Sequence, residues 1–308
     1  MPAWPFSKVS SIGLDIRTNE IRWLHLRHSR RNHVIEGFGI IPWPYSLGEA
    51  GCWEALSSLL ASLVAHYRLQ QLPTVIALPL SAVFIKHIQL SPDFTADELQ
   101  AEAHARIQRD LVGIEQEISI DFAVTHADEF SKNMLVAATK TDYLSQYLAA
   151  INKSGLQVKV VDVDAYVLAY AAYTLLALPL NIPDAIAVLD IHRNVFTLVV
   201  FQCDDILFSH SGEIVQTGNS YTTIKQVLQL YATTCKHAPL KQILLCGNRD
   251  QLTVLDDYIV DEFSLHVQWA DTFLQLPLAS SLDSLGWETM SSHFLACYGL
   301  AIRKLSSW

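Results

Sequence analysis

Charged side chains are scarce in this sequence: Asp, Glu, Lys and Arg make up 17% of 308 residues, against 51% apolar ones. So much apolar side chain excludes a disordered chain, and a length of roughly two times 150 residues predicts two domains or one large one. Cations are scarcer still, 21 against 31 anions for a net charge of −10. That balance excludes a general electrostatic affinity for nucleic acid or anionic lipid. Cysteine is sparse and odd in number, five residues at 52, 203, 235, 246 and 297 with no C-x-x-C pair. The spacing excludes a disulfide framework and predicts reduced thiols in a cytosol-like compartment. There is no G-x-S-x-G and no H-x-x-x-H with a glutamate, so neither a nucleophile elbow nor a zinc-protease helix is expected. No short-period repeat or low-complexity tract is present. The opening Met1-Pro2-Ala3-Trp4-Pro5-Phe6-Ser7-Lys8 lacks an apolar core, predicting no secretory leader and a chain that stays inside the cell.

One long uncharged run is present, residues 165–183, flanked by Asp162, Asp164 and Asp184 and interrupted by Pro179. It approaches spanning length, but its acidic flanks and Ala-rich content predict a buried helix rather than a membrane span. Ahead of it, Ile12, Leu14 and Ile16 alternate, then Ile21 and Trp23, which predicts a hairpin followed by a third strand over 33–41. A helix over 53–67 and a buried strand over 74–78 complete one α/β layer. A strand over 82–90 precedes Thr95-x-x-Glu98, the form of a capping box, and a helix over 97–111 with Leu99, Ala103, Ile107 and Leu111 on one stripe. Glu102 and Arg106 on its other face read as a solvated pair. Strands over 117–124 and 133–139, a helix over 142–154 ended by Gly155, and a strand over 158–163 follow. The pattern then restarts with strands at 185–189, 195–202 and 206–211. A helix over 221–236, a strand over 243–246, a helix over 252–262 and a closing helix over 291–304 complete it. Two halves, each opening on an Asp-bearing strand and hairpin, imply a duplicated fold.

Other features read plainly. His25, His28 and His33 surround a hairpin and are expected to be surface turn histidines rather than metal ligands. Arg27, Arg30 and Arg31 form the basic cluster, expected to be a solvated hairpin tip. The seven tryptophans are expected in core or edge packing.

Several stretches carry a resemblance: Gly13-Leu14-Asp15-Ile16, Ala77-Leu78-Pro79, Ile85-Lys86, Ile120-Asp121-Phe122, Val136-Ala137-Ala138-Thr139-Lys140, Leu189-Asp190-Ile191 and Cys297-Tyr298-Gly299-Leu300-Ala301-Ile302-Arg303. The most specific is the run from Gly155 to Ala165, a helix end leading into a Val-rich strand that carries Asp162 and Asp164. In this order they resemble the PilM family of type IV pilus assembly proteins over nearly the whole chain. The resemblance implies an α/β, duplicated actin-like (ribonuclease H-like) two-domain fold with an inserted α+β subdomain in the first half. Expected boundaries are 1–183 for the first domain, with the insert at about 81–155, and 184–308 for a shortened second domain whose final helix, 291–304, packs back on the first. It further implies a place at the cytoplasmic face of the inner membrane. The implied partner is the N-terminal cytoplasmic tail of a PilN-like protein, held in a groove that the strand over 82–90 and the helix over 97–111 would wall. The pilus motor ATPase and further copies of the chain are other candidate partners; nucleic acid is not.

Actin-like folds also imply a nucleotide site on two hairpin turns, where small residues let backbone N–H groups approach phosphate. The corresponding residues here are Asp15, Arg17 and Thr18 in the first turn, Asp190, His192 and Arg193 in the second, and Gly247 and Asn248 in the adenosine motif. Asp15 and Asp190 would hold Mg²⁺ through water. Arg17, His192 and Arg193 bring bulk where glycine belongs and lose its positive-φ geometry, although a guanidinium could itself grip an anion. The expectation is a degraded site, no catalytic residue and no confident cofactor, hence a non-hydrolysing scaffold. The alternative is an ATP-binding switch or weak ATPase of the same machinery, using ATP and Mg²⁺.

Overall fold

The alternating apolar residues at the start fold as expected, into strands β1 (Ser10–Arg17), β2 (Asn19–His28) and β3 (His33–Trp43). The computed structural model describes residues 10–28, 33–111, 115–127, 129–178, 184–203, 205–214, 216–217, 220–247, 252–271, 276–282 and 284–303. After β3 come α1 (Cys52–Tyr67), β4 (Pro73–Leu78), β5 (Phe84–Leu90), α2 (Ala96–Asp110), β6 (Ile118–Ala127), β7 (Lys132–Lys140), α3 (Thr141–Lys153), β8 (Gln157–Val163) and α4 (Asp164–Leu175). The later part holds β9 (Ala185–His192), β10 (Val195–Gln202), β11 (Asp205–Glu213), the two-residue strands β12 (Gln216–Thr217) and β13 (Ser220–Tyr221), and α5 (Thr222–Thr234). β14 (Leu240–Cys246), α6 (Thr253–Phe263), β15 (His266–Trp269), α7 (Ser284–Met290) and α8 (Leu295–Ala301) follow.

The described residues fall into two compact units, the first within Met1–Pro44, Leu72–Ala77 and Lys159–Trp308, the second within Tyr45–Gln71 and Leu78–Val158. The first unit contains the duplication. One sheet runs β3-β2-β1-β4-β8, the other β11-β10-β9-β14-β15. In both, the opening strand pairs antiparallel with the next and parallel with the fourth in spatial order. This is the duplicated actin-like, ribonuclease H-like α/β arrangement. β9 is buried on every residue, as a central strand covered on both faces must be. β15 carries no alternation strong enough to be read in advance; it pairs parallel to β14, and the Trp269 indole donates to Asp256 on α6.

Close backbone approach fixes α8 in this unit. Gly13 on β1 lies so near the helix that a Cβ there would stand 1.9 Å from the Cys297 carbonyl oxygen. A Cβ on Gly299 would meet the Val167 carbonyl of α4 at 2.7 Å. The Ser11 hydroxyl donates to the Ala301 carbonyl at 2.6 Å. Farther along, residues 277–279 add to the free edge of β3: the Ile35 N–H donates to Pro277 (2.9 Å) and its carbonyl accepts from Ala279 (2.8 Å). α4 buries Ala165, Val167, Leu168, Ala171 and Ala172, so the near-spanning apolar run is largely core over residues 165–172, whereas Thr174 and Ala177 are exposed; residues 179–183 lie outside the described residues. Among the described residues no helix is long and apolar enough to cross a membrane.

The helix expected over 291–304 differs. It opens as a 3-10 turn, Ser291–Phe294, and is α-helical only over Leu295–Ala301. The reason is competition for carbonyls: that of Ser292 accepts the Gly247 N–H and that of His293 accepts from Arg22.

In the second unit α2 lies on the sheet β5-β7-β6. Leu99, Ala103 and Ile107 bury against Ile88, Leu90, Met134, Val136 and Ala138. The strand and helix expected to wall an open groove therefore spend these apolar faces on each other. The capping box is present, with the Thr95 hydroxyl accepting from Glu98 N–H and the Glu98 carboxylate accepting from Thr95 N–H. Arg106 donates to Glu102 at 2.5 Å. α1 and α3 meet through Trp53, whose ring lies 5.6 Å from Tyr143 and 5.8 Å from Tyr147.

Candidate functional site

Strand periodicity puts residues i and i+2 on one face. On β1 that aligns Asp15 with Arg17, on β2 Glu20 with Arg22, and on β9 Asp190 with His192. Register places Asp15 opposite Arg22 and Arg17 opposite Glu20. All six side chains are buried or nearly so, and they converge in the first unit.

Arg17 is the centre. Its Nε donates to both Asp15 carboxylate oxygens, at 3.0 and 2.9 Å. Its Nη2 lies 3.1 Å from Asp190 Oδ2 in the other half. Arg22 donates from Nε to Glu20 and from Nη1 to the His293 carbonyl, and its Nη1 stands 4.0 Å from Asp190 Oδ1. His192 is turned inward, with Nε2 at 2.8 Å from Asp190 Oδ2 and Nδ1 at 3.5 Å from Glu20 Oε1. The Asp190–His192 contact is close but not aligned as a hydrogen bond. Burial pushes the Asp190 carboxyl above its ordinary range, while Arg17 and Arg22 pull it back. Burial works against the Arg17 charge, but Asp15 and Asp190 outweigh it and hold the guanidinium protonated.

The turns themselves differ from expectation. Positive φ is lost at Arg17 and His192, as expected, but occurs two residues on at Asn19 (76°) and at Arg193 itself (54°), where it was expected to be lost. Thr18 and Arg193 are exposed, and Arg193 Nε reaches only to 4.0 Å from Glu20. Arg193 thus does not join Arg17. The third region is taken up by the chain. The Gly247 N–H donates to the Ser292 carbonyl (3.2 Å) and its carbonyl accepts from the Ser292 hydroxyl (2.5 Å). Gly247 has φ 126°, and a Cβ there would be 2.3 Å from the Ile191 carbonyl oxygen, which is why glycine stands at this turn. Asn248 lies outside the described residues.

A Mg²⁺–phosphate group does not fit these residues. Both Asp15 oxygens face one guanidinium, Asp190 Oδ2 faces a guanidinium and an imidazole, and the Gly247 amide is engaged. A cation shell would have to displace Arg17 from both carboxylates at once. Among the described residues no group of three or more His, Cys, Asp or Glu is placed to hold a metal ion.

Glu20, Arg22, Ser292 and His293 were not singled out by motif reading. A signal existed for two of them: Glu20 and Arg22 alternate with Ile21 and Trp23 on a strand buried on both faces, where charges occur only when paired. Ser292 and His293 act through backbone groups and a hydroxyl, which leave no pattern.

The family comparison decides the assignment, because a model described as type IV pilus assembly protein PilM matches residues 13–223 and 217–305. The chain belongs to the PilM family. A solved PilM–PilN type IV pilus biogenesis complex is similar at 17% identity, over 98% of this chain and 100% of that one, with a TM-score of 0.74. The cytoplasmic domain of EpsL, an inner-membrane component of the type II secretion system of Vibrio cholerae, is similar at 14% identity over 96% of each chain, TM-score 0.48. MreB5 of Spiroplasma citri bound to ADP matches at 11% identity over 93% and 94%, TM-score 0.43. The charge cluster sits on the two hairpin turns and beside Gly247, where the sequence resemblance implied a nucleotide site.

The remaining candidates fall elsewhere. His28 and His33 are not loose turn residues: their Nδ1 atoms are 3.0 Å apart and His28 Nε2 lies 2.6 Å from the Ser11 hydroxyl. Burial lowers the basicity of His25, His28 and His33. Arg27 pairs with Glu36; Arg30 and Arg31 lie outside the described residues. Trp23, Trp43 and Trp287 are core, and Trp4 and Trp308 lie outside the described residues. None of the five cysteines forms a disulfide.

Proposed function

We propose that this PilM-family chain is a non-hydrolysing scaffold of type IV pilus assembly that works at the cytoplasmic face of the inner membrane by binding the N-terminal cytoplasmic tail of a PilN-like partner. The observation that carries it is the pairing of a family match over residues 13–305 with nucleotide turns occupied by the chain's own side chains. The fold it shares with the protein in the PilM–PilN complex supports the choice of partner. The proposed division remains a first domain over 1–183 with an insert at about 81–155, and a second over 184–308. Apolar side chains left exposed on the inserted sheet, Phe84 at 36% and Val124 at 42%, give an extended peptide something to cover.

Calorimetric titration with a synthetic tail peptide of the PilN-like partner tests this. Saturable binding is expected; a folded protein that shows no heat at high micromolar peptide would sink the proposal. The rival reading, an ATP-dependent switch using Asp15 and Asp190, draws on the retained carboxylates and on Gly247. Mg-ATP should then raise Tm by mass action, and the scaffold reading expects no shift.

A further inference from the structure

We infer that Arg17 is a built-in counter-cation that clamps the two α/β halves of the first unit together at their opening strands, so that this junction is held by a side chain instead of a bound ion. The clamp goes beyond partner binding and does not depend on it. The clamp is reciprocal. Cations of the first half, Arg17 and Arg22, face Asp190 of the second, while His192 of the second half faces Glu20 of the first. One guanidinium stands between Asp15 on β1, to which its Nε donates, and Asp190 on β9, which its Nη2 meets at 3.1 Å as an ion pair not aligned as a hydrogen bond; its always-charged, delocalised cation suits two carboxylates. A simple surface pair would not be built this way: the Asp15 and Asp190 side chains are 5% and 2% exposed. With so little solvent, removing the cation leaves two carboxylates buried without it, the costly way to break an ion pair. The 3-10 turn Ser291–Phe294 adds a second tie, receiving Arg22 from the first half and Gly247 from the second.

A built-in cation makes a specific prediction: what Arg17 does, a small divalent ion should do when Arg17 is gone. Wild type, Arg17→Ala and Arg17→Met are compared by thermal melting with and without millimolar Mg²⁺. Wild type is expected not to respond. Arg17→Ala should melt about 5–10 °C lower, and Mg²⁺ should return a few degrees of that loss, whereas Arg17→Met, which fills the space with apolar atoms, should lose stability and gain less from Mg²⁺. A rise of wild-type Tm with Mg²⁺, or an Arg17→Ala protein as stable as wild type, or one that Mg²⁺ does not rescue, would each overturn the inference. If Arg17→Ala fails to fold, Asp190→Asn and the double variant Arg17→Met/Asp190→Asn decide it. A clamp requires strong coupling, so the double variant should melt within about 2 °C of the worse single; additive losses would refute it. Peptide titration of the folded variants separates this outcome from failure of the partner proposal.

Discussion

Gly13→Ala offers the sharpest test of how the first unit is held. The added methyl would lie 1.9 Å from the Cys297 carbonyl oxygen and 2.8 Å from the Ala301 nitrogen. Real Cβ contacts essentially never fall below 3.0 Å, so α8 must withdraw by about 1 Å or β1 must bow. Neither movement is local. The obstacle is backbone, which cannot rotate aside as a side chain would, and the whole of Leu295–Ala301 is buried. A gap of about 1 Å forfeits a quarter to a half of each dispersion contact across it, and the Ser11–Ala301 hydrogen bond stretches with it. Overpacking of about 1–3 kcal/mol together with that lost contact puts the cost at about 3–5 kcal/mol, a large share of a typical domain's stability. Urea unfolding followed by circular dichroism measures it. Gly212→Ala is the control, because its methyl would meet only side chains, the edge of the Phe196 ring at 3.3 Å and His210 Nε2 at 3.6 Å, and should cost less than about 1 kcal/mol. A Gly13→Ala protein within about 0.5 kcal/mol of wild type would refute the close approach of α8 to β1.

Three further outcomes are expected. His293 is pushed down to about 4 by burial and by Arg22. Above pH 6.5 the folded and unfolded chains bind the same number of protons there; between 6.5 and 4 only the unfolded chain takes one, so stability falls as pH falls, by on the order of 3 kcal/mol. His293→Gln should flatten that limb of a pH-dependent unfolding series, and an unchanged limb would exclude His293 as its source. Arg193 holds φ 54° with a side chain 58% exposed; Arg193→Gly should stabilise by about 0.5–1 kcal/mol in chemical denaturation, and a loss would show that its contact with Glu20 matters more than backbone strain. Thr95→Ala removes the capping box of α2 and should cost about 1 kcal/mol by the same method, with no effect counting against that cap.

Local chemistry made much of this fold legible. The alternation at Ile12, Leu14 and Ile16, the Thr95–Glu98 spacing and the recurrence of an Asp-bearing strand at Asp15 and Asp190 are short-range signals, and each corresponds to an element. What could not be read depends on groups without sequence identity. The 3-10 opening of the closing helix follows from the carbonyls of Ser292 and His293 being claimed by Gly247 and Arg22, more than 40 residues away at the nearest. The same is true of the candidate site. Arg17, His192 and Arg193 were recognisable as bulk in glycine-like turns, but their directions were not: Arg17 and His192 turn inward to carboxylates, while Arg193 turns out. Left-handed backbone sits at Asn19 and Arg193 instead of at Arg17 and His192. Glu20 and Arg22 became meaningful only when β9 brought Asp190 beside them.

The strip of chain over 277–279 that borders β3, together with α8 against β1, has a consequence for synthesis. The ribosome releases Ser10–Trp43 first, yet the edge of β3 stays open and the groove over Gly13 stays empty until residues 277–301 emerge. At about 5–20 residues per second, the opening sheet waits tens of seconds with an unpaired strand edge and a bare apolar face. Such a nascent chain is a natural client for holding factors. Its first half reaches its final form last, and a message broken late would yield a long but incomplete protein in place of a shortened working one.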